Sequence, residues 1–312
     1  MNRIKINEGI IVEDSLECLL CSKRGMLLYQ DIQDRLFKSP GFWSFRYCPE
    51  CELAWLNPRP IKENAIKLYA NYYTHEALFN SERDLVNLRK RAKAIIKCLK
   101  SSRGGHLLDV GCGNGWFLKV MLKLGWKVTG VERDEEAVRL AKDMFGLEVI
   151  QGTLDDIKFP PEQFEAITIN HVIEHVHDPI KLLAECRRIL KSNGIIVIAT
   201  PNLKSLTKYL FGQYWRGWDV PRHLFLFSPK SLRICVERSE LRIKQVRTSA
   251  RGAHWMWTTT RLTRRLGFLP SDSSNKINLW LKLEGLMFKL TESGLCLFIK
   301  NIGEEILLVA MK

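Results

Sequence analysis

Asp109-Val110-Gly111-Cys112-Gly113-Asn114-Gly115 combines an acid with three glycines at alternate positions, and Glu132 follows 21 residues after Gly111. Glycines spaced this way let the backbone approach a ligand closely, and a helix starting there offers free N–H groups. A carboxylate at Glu132 can accept hydrogen bonds from both hydroxyls of a ribose. A dinucleotide loop reads G-x-G-x-x-G. Here the pattern is G-x-G-x-G, and the acid before it repels a pyrophosphate but suits an ammonium group. A ligand with ribose, adenine and a cationic amino acid meets both demands, so S-adenosylmethionine (SAM) is the expected cofactor.

Three further groups of residues have chemical potential. Cys18-Leu19-Leu20-Cys21 and Cys48-Pro49-Glu50-Cys51 are two C-x-x-C pairs, a pattern that sets four thiolates around a structural zinc ion. Ser22 and Glu52 stand where such a turn usually has glycine. His171-Val172-Ile173-Glu174-His175 reads as H-x-x-E-H, but zinc-protease chemistry needs it on a helix, and it follows the strand-like EAITIN. At the end of a strand His175 is instead a candidate general base. The third group is Trp215-Arg216-Gly217-Trp218-Asp219-Val220-Pro221-Arg222-His223. In it Arg222 could clamp a phosphate or carboxylate, Trp218 could stack on an acceptor ring, and His223 is a second candidate base.

The elements that must hold these residues alternate from His106 onward. HLLDVG, KVTGVE, LEVIQG, EAITIN and IIVIAT read as strands. NGWFLKVMLKLG, EEAVRLAKDMFG and DPIKLLAECRRILKSNG read as helices, the last with Gly194 as its C-cap. This predicts a parallel sheet in a three-layer α/β domain, with LRIKQVRTSA and EEILLVAMK as two late strands. The expected organisation is a zinc-ribbon-like module over 1–60, a helical linker over 61–102, and a Rossmann-like domain over 103–312 that carries a helical cap at 250–303.

The motifs LLDVGCGNGWFL, VTGVERDEEAV, QGTLDDIKFPPEQFEAITINHVIEHVHDP and RILKSNGIIVIATPN together resemble the class I SAM-dependent methyltransferases. The likeness is nearest to the branch of ubiquinone-biosynthesis O-methyltransferases and glycan-cluster enzymes. It implies a seven-stranded domain in which Asp109, Gly111, Gly113 and Gly115 line the methionine end of SAM and Glu132 holds the ribose. Leu154 and Asp155, or alternatively Asp156, would contact adenine, with Asn170 also at the cofactor. His171, Trp218 and Arg222 fall to the acceptor side. Asn170-His171-Val172-Ile173 is not a nitrogen-methylation tetrapeptide, which favours oxygen as the acceptor atom. The paired cysteines resemble the small zinc module that precedes some of these enzymes.

The chain of 312 residues is 46% hydrophobic and 26% charged, which excludes a disordered or disulfide-stapled protein. Nine cysteines and no secretory leader pattern point to reduced thiols and a cytoplasmic setting. The net charge of +14 is concentrated late, with 19 Lys/Arg against 8 Asp/Glu in residues 203–312. In INLWLKLEGLMFKLTE, Leu279, Trp280, Leu283, Leu286, Met287 and Leu290 share one helical face. That face is expected either to pack on the sheet as a cap or to rest on an anionic lipid surface through residues 255–292. A small-molecule or lipid-linked glycan acceptor is the expected partner. Nucleic acid is disfavoured, because no stacking platform accompanies the charge.

Overall fold

A computed structural model of the chain describes residues 4–65, 68, 95–99, 104–269 and 277–312. The chain divides into two compact units. One comprises Tyr72–Ala199, Cys235–Val246 and Leu307–Lys312, and the other Met1–Asn71, Thr200–Ile234 and Arg247–Ile306.

The first unit is built on a seven-stranded sheet. Its strands are β1 (Gly105–Val110), β2 (Trp126–Glu132), β3 (Val149–Gln151), β4 (Phe164–Asn170), β5 (Leu190–Pro201), β6 (Arg242–Ser249) and β7 (Glu305–Met311), in the order β6-β7-β5-β4-β1-β2-β3. β4 is parallel to β5 and to β1, β1 to β2, and β2 to β3. The middle strands are apolar along most of their length: β7 is buried throughout and β5 from Ile195 to Thr200, as expected for strands covered on both faces. This is the Rossmann-like α/β architecture expected from the sequence. The chain runs outward from β1 through β2 and β3, then resumes on the other side at β4. The β1/β4 boundary is therefore the switch point, outside whose carboxyl ends ligands bind in such sheets.

Helices α1 (Trp116–Lys123), α2 (Glu135–Phe145) and α3 (Pro179–Ile189) connect these strands. Asp134 caps α2 by accepting from the Ala137 N–H at 3.0 Å, and Asp178 caps α3 by accepting from Lys181 at 2.9 Å. α1 differs: it starts at Gly115 in the left-handed region (φ 77°) with no capping side chain. The sequence placed Gly194 at the C-cap of α3, but the helix stops at Ile189 and Leu190 is already extended. Leu190 pairs with Phe164, and the register then jumps to Ala166–Ile195. Residues 191–194 thus form an irregularity inside β5, with Asn193 left-handed.

The second unit contains an antiparallel sheet of Met26–Ile32, Trp43–Cys48, Leu53–Leu56 and Phe225–Leu226. A smaller sheet joins Ile4–Asn7, Ile10–Glu13 and Arg59–Pro60. Residues 1–60 do not form a self-contained module here, since Phe225 and Leu226 pair with Trp55 and Ala54. Of the linker expected over 61–102, the helix Lys62–Ala65 and helical residues 95–99 are seen, and apart from Ile61 and Leu68 the rest lies outside the described residues. The cap expected over 250–303 contains the helices Ala253–Leu266 and Leu279–Phe298. They run antiparallel, with Arg261 beside Glu284 and Trp257 stacked on Phe288.

The apolar face predicted for the second of these helices is not the packed one. The helix buries Gly285, Phe288 and Glu292, while Leu279, Trp280, Leu283, Leu286, Met287 and Leu290 are exposed. Gly285 allows the close approach, because a Cβ there would lie 2.6 Å from Thr258 Cγ2. Glu292 is fully buried near Glu304, which accepts from the Thr207 backbone N–H at 3.1 Å and from the Thr207 hydroxyl. Among the described residues, no helix is long and apolar enough to cross a membrane.

Candidate cofactor site and cysteine centre

The glycine loop leaves the carboxyl end of β1, as its sequence implies. Gly111, Gly113 and Gly115 have φ of 68°, 53° and 77°, a region that costs other L-residues about 1–2 kcal/mol. Their surroundings separate their tasks. A Cβ on Gly111 would lie 2.4 Å from Val172 Cγ2, and one on Gly115 would lie 2.8 Å from Leu147 Cδ1. At Gly113, chain neighbours aside, no described residue lies within 4 Å of that position. Gly111 and Gly115 are thus required by packing, whereas Gly113 faces open space.

Glu132, at the end of β2, is tied to this loop. Its Oε2 accepts from the Gly113 N–H at 2.9 Å, and its Oε1 accepts from Arg133 and Asp134 at 2.8 and 3.1 Å. Three backbone donors hold the carboxylate in one orientation and leave part of its acceptor capacity for a ligand. Asp109 is buried at the end of β1. The β1/β4 register sets Thr168 directly beside it, and the Thr168 hydroxyl donates to Asp109 Oδ1 at 2.5 Å. Burial pushes the Asp109 carboxyl up to about 7. The Thr168 hydrogen bond opposes this, and the nearby charge of Glu132 adds to it. A cation beside Asp109 would reverse the shift.

The other expected cofactor residues lie along the carboxyl edge of the sheet. Leu154 is buried, while Asp155 is exposed and pairs with Lys181 at 3.3 Å. Asp156 closes a turn by accepting from the Thr153 N–H and hydroxyl, at 3.1 and 2.6 Å. Asn170 ends β4. His171 follows it in the left-handed region (φ 56°), and Ile173–His175 form one turn of 3₁₀-helix. An H-x-x-E-H zinc site needs an α-helix, and this backbone does not provide one. Buried Glu174 lies 3.3 Å from His171 Nδ1. Because Val172 packs over Gly111, the turn carrying His171 and His175 adjoins the glycine loop.

Trp218, Arg222 and His223 belong to the other compact unit, and burial changes their reading. Trp218 is 2% exposed, packs edge-on against Trp215 and Tyr29, and donates to the Gly212 carbonyl at 2.9 Å. Arg222 is 1% exposed. Its guanidinium pairs with Asp34 at 2.9 Å and Asp219 at 2.6 Å, and rests on the Phe37 ring. The acceptor contacts expected of Trp218 and Arg222 therefore give way to structural roles, since these groups are already paired in the interior. His223 is also buried; its Nδ1 lies 2.7 Å from the Gly217 carbonyl, which makes it the protonated nitrogen. Asp34 is the residue that sequence reading missed. It accepts from the Leu36, Phe37 and Ser39 N–H groups and from Arg222, and nothing in its local sequence signals this.

In the same unit Cys18, Cys21, Cys48 and Cys51 converge, with all four Sγ atoms within 4.8 Å of one another and Cys21–Cys48 at 3.6 Å. Four sulfurs at about 2.3 Å from a tetrahedral zinc lie about 3.8 Å apart, so the donor set fits that ion. The two turns match each other. Ser22 and Glu52 donate backbone N–H bonds to the carbonyls of Cys18 and Cys48, both at 2.8 Å, and have φ of 58° and 57°. Both turns thus adopt the left-handed conformation usual for glycine, although neither residue is glycine. Of the remaining cysteines, Cys112, Cys186 and Cys235 are buried, and Cys98 and Cys296 are half-buried.

A sequence family described as Methyltransferase domain matches residues 79–246, just over half of the chain. The chain belongs to that family. It is 34% identical over 120 residues to a ubiquinone biosynthesis O-methyltransferase of Cereibacter sphaeroides, covering 36% of this chain and 49% of that one. Against the Haemophilus ducreyi protein of the same name it is 32% identical over 117 residues, 34% of this chain and 49% of that one. The chain spans about half the length of these curated relatives. The solved structure of a SAM-dependent methyltransferase from Thermotoga maritima is similar in fold, with a TM-score of 0.50 at 18% identity, covering 80% of this chain and 99% of that one.

Proposed function

We propose that this protein binds SAM at the β1/β4 switch point and transfers its methyl group to a hydroxyl oxygen of a small-molecule or lipid-linked acceptor. The observation carrying this reading is the coupling of loop and acid: Gly113 donates to Glu132, beside buried Asp109 and the uncapped start of α1. In this reading Glu132 accepts from the ribose hydroxyls, and Asp109 holds the ammonium. The open space at Gly113 admits the ligand backbone, and the α1 N–H groups face its carboxylate. Asp155, beside buried Leu154 at the carboxyl edge, takes the adenine. SAM supplies the electrophilic methyl. The protein supplies alignment, and a base takes the hydroxyl proton as the C–O bond forms and the C–S bond breaks.

His175 is proposed as that base, because its turn adjoins the glycine loop within the same unit. Oxygen is favoured by Asn170-His171-Val172-Ile173, and by relatives whose names specify O-methylation. A structural zinc held by Cys18, Cys21, Cys48 and Cys51 belongs to this proposal. Its chemistry would be to fix the two matched turns.

The test is calorimetric titration of S-adenosylhomocysteine (SAH) into wild-type protein and Glu132→Ala. Saturable binding that the substitution removes is the expected result. Absence of binding to folded, zinc-replete wild type would overturn the reading.

A further inference from the structure

The helix Leu279–Phe298 leaves an apolar stripe facing solvent along its whole length. Trp280, Leu283, Met287, Leu290, Leu297 and Phe298 fall within about one third of the helical circumference, and each is exposed. Trp280 is 76% exposed and Phe298 85%, so aromatic rings stand at both ends of the stripe. Scattered apolar residues on a surface are ordinary, but a continuous stripe is not.

The borders of the stripe are basic. Lys282 and Lys289 are exposed on one edge. On the other edge the neighbouring helix presents Arg261, paired with Glu284, and Arg265 one turn further along the same face. The arrangement is an apolar face flanked by cations. We infer that this helix docks on an anionic lipid bilayer, lying in the interface with its stripe among the acyl chains and its lysines and arginines at the headgroups. A second copy of the chain is the less favourable occupant. Two-fold pairing through this stripe would bring the same basic edges together, on a chain that already carries +14.

Co-sedimentation with vesicles tests this directly. Wild-type protein should pellet with equimolar phosphatidylcholine and phosphatidylglycerol, and at least tenfold less with phosphatidylcholine alone. Each cation near an anionic surface contributes about five-fold in partitioning, so Lys282→Gln/Lys289→Gln should lower it about 25-fold. Trp280→Ser/Met287→Ser/Leu290→Ser changes only exposed side chains and should abolish pelleting while leaving the thermal midpoint unchanged. Three results would overturn the inference: no pelleting of wild type with anionic vesicles, pelleting that survives the triple substitution, or a wild-type dimer in sedimentation velocity that the triple substitution dissociates while vesicle binding is absent. None of these readouts requires SAM, so failure here is distinct from failure of the methyltransferase reading.

Discussion

Asp109 ties cofactor affinity to pH, and the structure gives the size of the effect. Its buried carboxyl titrates at about 7, against an ordinary value of 3.8. An ammonium partner binds the carboxylate and not the neutral acid. Below that pKa each pH unit therefore costs about tenfold in affinity. The Kd for SAH should rise about tenfold between roughly pH 8 and pH 6, with proton release on binding near pH 7. The Thr168 hydroxyl stabilises the charged form. Replacing it by the isosteric Thr168→Val removes a charge-assisted bond worth about 1.5–3 kcal/mol, which moves the curve to higher pH by about one to two units. Calorimetry in two buffers of different ionisation enthalpy reads both the Kd and the proton count. Asp109→Asn should remove the pH dependence and weaken binding at alkaline pH. A flat wild-type profile, or a Thr168→Val profile that does not move, would refute the assignment of the ammonium to Asp109.

Other outcomes follow from the same geometry. Gly113→Ala should fold with a loss of about 1–2 kcal/mol yet bind SAH poorly, whereas Gly111→Ala should destabilise strongly through Val172, with partial rescue by Val172→Ala; thermal melts and calorimetry separate the two. Without ligand, Asp109 near 7, Glu304 near 7 and Glu292 near 9 are all raised by burial, so the folded chain holds protons that the unfolded chain releases. Their contribution to stability should therefore be greatest below the ordinary carboxylate range and be lost as pH rises through about 7 to 9, and Glu292→Gln should flatten the alkaline part of that loss in a melt series. Metal analysis should find one zinc per chain, and Cys48→Ser with Cys51→Ser should remove it and lower the thermal midpoint.

The glycine loop and Glu132 were legible in the sequence because they lie close along the chain, within a single strand-helix-strand unit. What holds them was less legible. Thr168 reaches Asp109 through a strand register, and Val172 fills the space above Gly111 through a turn some 60 residues away. Local spacing says nothing of either. Arg222 read as a substrate clamp because its partner Asp34 stands 188 positions earlier. Helical periodicity identified a one-sided apolar stripe at 279–290 but could not say which side meets the protein. The packed side contains Gly285, Phe288 and Glu292, where a small residue and a buried acid contribute little to the pattern. Ser22 and Glu52 show the opposite case, in which residues that looked wrong for a turn adopt its conformation anyway.

The strand Phe225–Leu226, which closes the sheet beside Leu53–Leu56, bears on how the chain is made. On a ribosome the cysteine turns and the first three strands of that sheet emerge long before their last strand exists. Until then Leu53–Leu56 is an edge with unsatisfied backbone groups, open to pairing with any nascent neighbour. Metal captured early by the four thiols would keep the unfinished piece folded while some 170 further residues are synthesised. An expression fragment ending near residue 60 would leave that edge permanently bare. It should aggregate, even with zinc supplied, where the full chain does not.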